Sequence, residues 1–436
     1  MDQHATDLLT DWSALRAGIP PVWTRYTDLV VERASGSWIE TVDGERYLDY
    51  TSGIGVTNTG HAHPRVVAAV AEQAARGLHL QQNIVYHQPG LELHDRLPKR
   101  FPNAAPDAPY GLFLSNSGAE AVEAAVKLAK VATGRPVVIA FRGGFHGRTH
   151  GAMALTSSNV KYRAHFEPLM GSVHLVPFPY PLRMDGEQAA LAATMAAIDE
   201  LFATLVAPDD VAAFVVEPVL GEGGYVVPPD GFLPALRDVA TRHGILLAVD
   251  EVQSGFARTG RFFATEWTDA TPDIVIMAKG IASGLPLSGI LAPRSLLERL
   301  APGAHGGTYG GNAVACAAAL ATLDVIDEER LAEGAHRLGE RLMAGLRQAA
   351  AAHASVAELR GRGLMLAIEL ADAGSLAPRP DLAKGLLAEA MARNLLLLTC
   401  GTYGQVVRII PPLVTTEDEI DLAVEVIGSA LDAIGA

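Results

Sequence analysis

Between residues 61 and 310 the chain alternates short apolar runs, rich in β-branched residues, with longer stretches whose apolar positions recur at helical spacing. Residues 111–114, 137–140, 213–216, 245–249 and 274–277 read as buried strands, with helices over 119–131 and 232–243 among the segments between them. Apolar strands separated by helices predict a mainly parallel sheet covered on both faces, because each crossover helix must bury its apolar stripe on that sheet. Upstream, residues 38–42 and 46–50 flank Asp43-Gly44 and predict a β-hairpin. Beyond Gly311 the chain turns strongly helical as far as Ala352, then offers strands at 363–368, 395–398 and 406–410 and a closing helix over 416–434. The expectation is an α/β protein. A large domain would span 61–310, and a smaller α+β domain would combine the N-terminal segment 1–60 with the C-terminal 311–436. Residues 106–109 and 377–380 read as loops.

Composition narrows the class without changing that picture. With 436 residues and 49% hydrophobic content, the chain can bury a large core. Its 49 acidic residues against 34 basic ones leave a net charge of −15, which argues against a nucleic-acid partner, since phosphate backbones need a basic face. Cys316 and Cys400 are too few for a disulfide framework and lack metal-ligand spacing, so a reducing cytoplasm is expected and no metal is. Met1-Asp2-Gln3-His4 has neither a basic start nor an apolar core, so no signal peptide is expected. The longest apolar run, residues 313–321, is Ala-rich and far short of the ~18 residues that suggest a membrane span. It reads as a tightly packed helix, and no membrane association is expected.

Ligands of open parallel sheets collect at the carboxyl ends of the strands. Those ends carry Ser117-Gly118, Phe145-His146, Glu217, Asp250 and Lys279. Ser117-Gly118 opens a helix whose free N–H groups can hold a phosphate, although Ser-Gly is also an ordinary cap. Asp250 ends an apolar strand and needs a partner, for which an arginine or a helix N-terminus would serve as well as a protonated ring nitrogen. Lys279 follows another such strand, where an amine is costly unless it reaches solvent, is neutralised or is covalently used. Taken together they become specific. A Schiff-base lysine, an acid for a pyridinium nitrogen and a helix opening for a phosphate are the contacts pyridoxal phosphate requires, with Phe145 available to stack on its ring. No Walker-type loop and no Gly-x-Gly-x-x-Gly helix opening competes.

The stretch Leu247-Ala248-Val249-Asp250-Glu251-Val252-Gln253-Ser254-Gly255-Phe256-Ala257-Arg258-Thr259-Gly260, followed at the signature's separation by Ala278-Lys279-Gly280, resembles the class III aminotransferases, fold-type I pyridoxal-phosphate enzymes. The likeness runs over about residues 38–419. It implies Lys279 as Schiff-base lysine and proton shuttle, and Asp250 as partner of the pyridine nitrogen. Gln253 would approach the phenolic oxygen, Val252 and Phe145 would flank the ring, and His146 and Glu217 would complete the cofactor-binding set. Ser117, Gly118 and Ala119 would form the phosphate site, where relatives often carry Ser or Thr in place of Ala119. Thr308, in Gly306-Gly307-Thr308-Tyr309-Gly310-Gly311-Asn312, resembles the threonine that reaches a neighbouring subunit's phosphate, which implies a homodimer with shared sites.

Segments 52–61, 145–149, 217–224 and 406–413 are most similar to those of 4-aminobutyrate aminotransferases within that family. The likeness implies Arg148 for the distal carboxylate of the substrate and Arg408 for the α-carboxylate of glutamate or 2-oxoglutarate. Glu222 would neutralise Arg408 when an ω-amino acid is bound, and Ile54 would wall the substrate chain. Without the family, Arg148 would read as a solvated loop arginine and Glu222 as a surface carboxylate. Leu220 stands where those relatives often carry Gln. Other donors (5-aminovalerate, acetylornithine, a diamine) and a racemase or epimerase of the same family remain alternatives.

Overall fold

A computed structural model describes residues 12–101 and 109–436. The N-terminal tetrapeptide read for a signal peptide, and residues 106–108 of the first predicted loop, lie outside them. The N-terminal strands β1 (Val31–Ser35), β2 (Trp38–Thr41) and β3 (Arg46–Asp49) form an antiparallel meander. Its second turn is the predicted hairpin, closed by Gly44 at φ +82°, a left-handed conformation that costs glycine little. β1 escaped the sequence reading because Val-Glu-Arg-Ala-Ser is a mostly exposed edge with no apolar period.

The central sheet holds β4 (Tyr110–Ser115), β5 (Val137–Phe141), β6 (Val173–Val176), β7 (Val211–Val216), β8 (Leu246–Asp250), β9 (Ile274–Met277) and β10 (Ser288–Pro293). Their order is β4-β10-β9-β8-β7-β5-β6, and β10 runs antiparallel to both of its neighbours. The other contacts are parallel, so the mainly parallel expectation holds. Period-two alternation divides each strand between two cores. Ile139, Phe214, Val216, Leu247 and Val249 pack under the helices Glu187–Thr204 and Phe232–His243. Val138, Ala140, Ala213, Val215 and Ala248 face the helix Gly118–Thr133. β6 and β10 were not foreseen. β6 is a half-buried edge strand, and β10 mixes Ser, Gly and Pro into its apolar run.

The C-terminal part adds β11 (Val356–Arg362), β12 (Met365–Leu370), β13 (Leu395–Leu396), β14 (Leu398–Cys400) and β15 (Val406–Ile409). β11-β12-β15-β14 make one four-stranded sheet, while β13 pairs parallel with β3 and joins the two ends of the chain. The predicted single strand over 395–398 is therefore two strands in different sheets. Four consecutive leucines carry no period that could divide them. Pro380, expected in a loop, instead opens the helix Pro380–Met391 at a position where its missing N–H costs nothing. The Ala-rich run is the buried helix Ala313–Glu328, as expected. No helix among the described residues is long and apolar enough to cross a membrane.

The helix Leu331–Ala350 lies against the turn between β11 and β12 so closely that a Cβ on Gly339 would collide with the Gly363 carbonyl. Gly→Ala inside a helix ordinarily stabilises by about 0.4–1 kcal/mol. Here the sign reverses: Gly339→Ala is expected to lose about 1–3 kcal/mol in chemical denaturation, as overpacking does. A neutral or stabilising result would show that the helix can slide away from the turn.

Candidate active site

The site is assembled where β4, β5, β7, β8 and β9 end. Asp250, the last residue of β8, is buried, with Oδ2 2.8 Å from His146 Nδ1 and Oδ1 accepting from Val252 N at 3.0 Å. Glu217 follows β7 and ties two turns together, accepting from Phe145 N and from Gly221 N, each at 3.0 Å. His146 is held from behind, because Thr156 Oγ1 accepts its backbone N–H at 2.9 Å. Lys279 follows β9 with φ +48°, an uncommon conformation for a residue with a Cβ, of the kind that collects at functional sites. Its Nζ makes no hydrogen bond or ion pair within the described chain.

Shared burial shifts these groups strongly. Burial and then the nearby Arg408 charge lower the Lys279 amine to about 8, against the pull of Asp250, Glu217 and Glu222. Burial pushes Glu217 up to about 7; Asp250 pushes the same way and His146 opposes it. Burial also works against a charged His146, but the hydrogen bond and charge of Asp250 outweigh it and raise the imidazole above its ordinary value. The result is a carboxylate at Asp250, fixed in position, beside an amine whose pKa is drawn down to about 8.

The remaining predicted cofactor residues surround this centre. Ser117 caps the helix Gly118–Thr133 in a reciprocal box with Glu120, leaving the N–H groups of Gly118 and Ala119 without partners among the described residues. Those two donors at a helix N-terminus suit a phosphate. Val252 packs on Gly118, where a Cβ would come 3.2 Å from its Cγ1. Gln253 has Oε1 buried without a partner, and its Nε2 reaches Ile54 O only at 3.4 Å. These groups fit pyridoxal phosphate: donors for its phosphate, a carboxylate for its ring nitrogen, an amide for its phenolic oxygen and an amine for its carbonyl. Thr308 is elsewhere, exposed and without a partner among the described residues.

The pair inferred for the substrate is formed. Arg408 projects from β15 with its side chain 3% exposed, and its Nη1 lies 2.8 Å from Glu222 Oε2. Burial alone would lower the guanidinium, but Glu222 holds it above its usual range. Tyr162, missed in the sequence, donates to Glu222 Oε1 at 3.1 Å and meets Phe145 edge-on with ring centroids 5.1 Å apart. No periodicity or motif marks it. Arg148 is exposed, without a hydrogen-bond or ion-pair partner among the described residues, and its charge reaches the Tyr162 hydroxyl. Ile54 is 45% exposed, in a run of left-handed residues from Ser52 to Gly55, so within one chain it rims the site rather than walling it. Leu220 turns away into the apolar cluster of Phe141, Val226 and Phe232, so its departure from Gln changes packing.

Parallel sheet, amine, carboxylate and helix opening define a pyridoxal-phosphate enzyme of the fold-type I class. The chain belongs to the class-III aminotransferases, whose family pattern it matches over residues 20–431. It is 40% identical over 420 residues to the 5-aminovalerate aminotransferase DavT of Pseudomonas aeruginosa, covering 96% of this chain and 97% of that one. It is also 40% identical over 405 residues to the 4-aminobutyrate aminotransferase GabT of Escherichia coli, covering 93% of each. Among solved structures it resembles a pyridoxal-phosphate-bound amine transaminase from an uncultivated Pseudomonas species, with TM-score 0.87, 33% identity and coverage of 93% and 95%. A Bacillus anthracis aminotransferase matches with TM-score 0.90, 29% identity and coverage of 99% and 100%. The protein is therefore an amino-group-transferring enzyme, and its cofactor is pyridoxal phosphate.

An amine reacts as a nucleophile only when deprotonated, so a lowered pKa moves its reactivity to lower pH. In cofactor-free protein, labelling of Lys279 by an amine-directed reagent should rise through about pH 8 and then level off, whereas an ordinary lysine keeps rising toward 10.5. Peptide mapping across pH reads this directly, and a profile for Lys279 still climbing at pH 10 would contradict the burial argument.

Proposed function

We propose that this enzyme transfers the amino group of a carboxylate-terminated ω-amino acid to 2-oxoglutarate, giving glutamate and a semialdehyde. 4-Aminobutyrate is the first donor to consider. Its one-carbon-longer analogue 5-aminovalerate is the second, supported by the likeness to the Pseudomonas aeruginosa enzyme. The observation that carries the reading is the Glu222–Arg408 pair at 2.8 Å. A pocket serving both an ω-amino acid and glutamate must accept one carboxylate in one half-reaction and two in the other. Removing one partner of a buried ion pair costs about 3–5 kcal/mol, so an arginine waiting for a second carboxylate needs a stand-in. Glu222 is that stand-in.

The other roles follow from the chemistry. Pyridoxal phosphate, when bound, supplies a carbonyl that takes up the amino group and a ring that accepts the electron pair released at the substrate carbon. Asp250, oriented by His146 and by Val252 N, keeps the ring nitrogen protonated. Glu217 holds the Phe145 turn in place, Phe145 and Val252 flank the ring, and Gln253 meets the phenolic oxygen. Ser117, Gly118 and Ala119 hold the phosphate. Lys279 Nζ would hold the cofactor through its carbonyl carbon at rest and, once freed, would carry a proton from the substrate carbon to that carbonyl carbon. Arg148 receives the distal carboxylate at the mouth, beside Ile54. Thr308, exposed in its own chain, completes the phosphate site of a second copy, so the working unit is a homodimer.

Two experiments test this. Arg408→Ala should cost the glutamate half-reaction about 2–5 kcal/mol of transition-state stabilisation and the 4-aminobutyrate half much less, read by single-turnover spectra with each donor. Equal losses, or a parent enzyme that accepts amino groups from neither 4-aminobutyrate nor 5-aminovalerate, would reject the assignment. Thr308→Ala should weaken cofactor retention in dialysis without altering the monomer fold. A dimer that keeps its cofactor as tightly as the parent would remove Thr308 from the shared site.

A further inference from the structure

The backbone around Glu222 is fixed from several sides. Gly401 N donates to the Glu222 carbonyl at 2.9 Å, and Tyr225 N donates to the Gly221 carbonyl at 3.1 Å. Arg360 donates to the Gly224 carbonyl through Nε at 3.0 Å and Nη2 at 2.6 Å. Glu217 Oε1 takes Gly221 N at 3.0 Å. The glycines leave little slack: a Cβ on Gly221 would come 2.7 Å from Gln253 Oε1, and one on Gly223 would strike the Gly143 carbonyl. The turn is a rigid mount. To release Arg408, the Glu222 carboxylate has to leave by rotating its side chain, since the loop cannot carry it away.

Two groups hold that carboxylate, one on each oxygen. Arg408 Nη1 binds Oε2 and the Tyr162 hydroxyl binds Oε1. An incoming α-carboxylate can replace the first interaction for Arg408, but the hydrogen bond from Tyr162 to Glu222 has still to be broken. The Tyr162 ring is itself braced edge-on against Phe145, so the hydroxyl is aimed by packing. Burial, and next the Glu222 charge, push this hydroxyl above its usual range, so it remains a donor at every working pH.

We propose that Tyr162 is a specificity-positioning residue: its hydroxyl latches Glu222 onto Arg408 and biases the pocket toward ligands with one carboxylate over ligands with two. The inference rests on Arg408 being the α-carboxylate site. The latch must be broken each time glutamate or 2-oxoglutarate binds and re-forms when the ω-amino acid returns. Tyr162 thereby sets the balance between the two half-reactions.

Tyr162→Phe keeps the ring against Phe145 and removes only the donor. In the holoenzyme, binding of the unreactive dicarboxylate glutarate should tighten about 10–100-fold, as loss of one hydrogen bond to a charged group predicts, while valerate, with one carboxylate, should not tighten. Kinetically, KM for 2-oxoglutarate should fall with kcat little changed, and kcat/KM for 4-aminobutyrate should fall. In a Glu222→Gln background the same substitution should no longer move the glutarate-to-valerate ratio, because the charged latch is already gone. A ratio unchanged by Tyr162→Phe, or a shift that persists with Gln at 222, would overturn the latch. If glutarate binding in the parent does not depend on Arg408, the α-carboxylate reading fails first and takes the latch with it. A parent that binds glutarate through Arg408 but ignores Tyr162→Phe rejects the latch alone.

Discussion

An amine, three carboxylates, an imidazole and a guanidinium have to share one enclosure at the end of a parallel sheet, and much of the architecture serves that requirement. Isolated charges out of water are costly, so each must be answered by a neighbour of fixed geometry. His146 answers Asp250, and Arg408 answers Glu222. Glu217, which takes two backbone N–H groups, is raised to about 7 and carries much less charge than an exposed glutamate would. Lys279 is the group left over. Burial, and next the positive Arg408, lower its amine to about 8, and with no direct partner among the described residues it is drawn toward the neutral state in which it can bond to a carbonyl or accept a proton.

The enclosure only works if parts distant in sequence keep register. Glu222 sits on a turn after β7 of the central sheet, whereas Arg408 is on β15 of the C-terminal sheet. Buried polar side chains lock these parts together. Arg258 is fully buried and donates to Asn58 Oδ1 and to the Leu364 and Pro411 carbonyls, clamping the segment after β8 to both ends of the chain. No carboxylate among the described residues pairs with it, and burial lowers it to about 10. Glu369, also buried, gathers Arg183, Arg360 and Tyr180. Through Arg360 that cluster reaches the Gly224 carbonyl, so the mount of Glu222 is tied to the sheet that carries Arg408. Such networks are costly when half satisfied, which favours one arrangement of the parts over the alternatives.

The sequence was most legible where local chemistry and burial agree. Five strands of the central sheet appear as apolar runs, because a strand covered on both faces has no polar alternation to hide it. Asp43-Gly44, Ser117 ahead of Glu120, and Thr416 ahead of Glu419 mark a turn and two helix starts by chemistry that acts within a few residues. Lys279, Asp250 and Glu217 were readable because ionisable residues directly after apolar strands demand an explanation. Edge strands such as β1, β6 and β11 were not, since half-exposed pairing depends on a partner rather than on the strand's own residues.

What the sequence determined by itself was therefore the class of sheet, the strand ends that carry chemistry and, through family likeness, the residues that meet the cofactor. What only the tertiary structure decided were contacts between distant segments. Leu395 and Leu396 join β3 while Leu398 joins β15, although nothing in the four leucines separates them. Tyr162 finds Glu222 across a sequence separation of 60, Arg258 clamps three segments, and Leu220 turns into the core instead of the pocket. Periodicity and capping report the free energy of a segment with itself and its solvent. Which distant groups end up within 3 Å depends on how sheets and helices pack as solid bodies, and that information is spread over the whole chain.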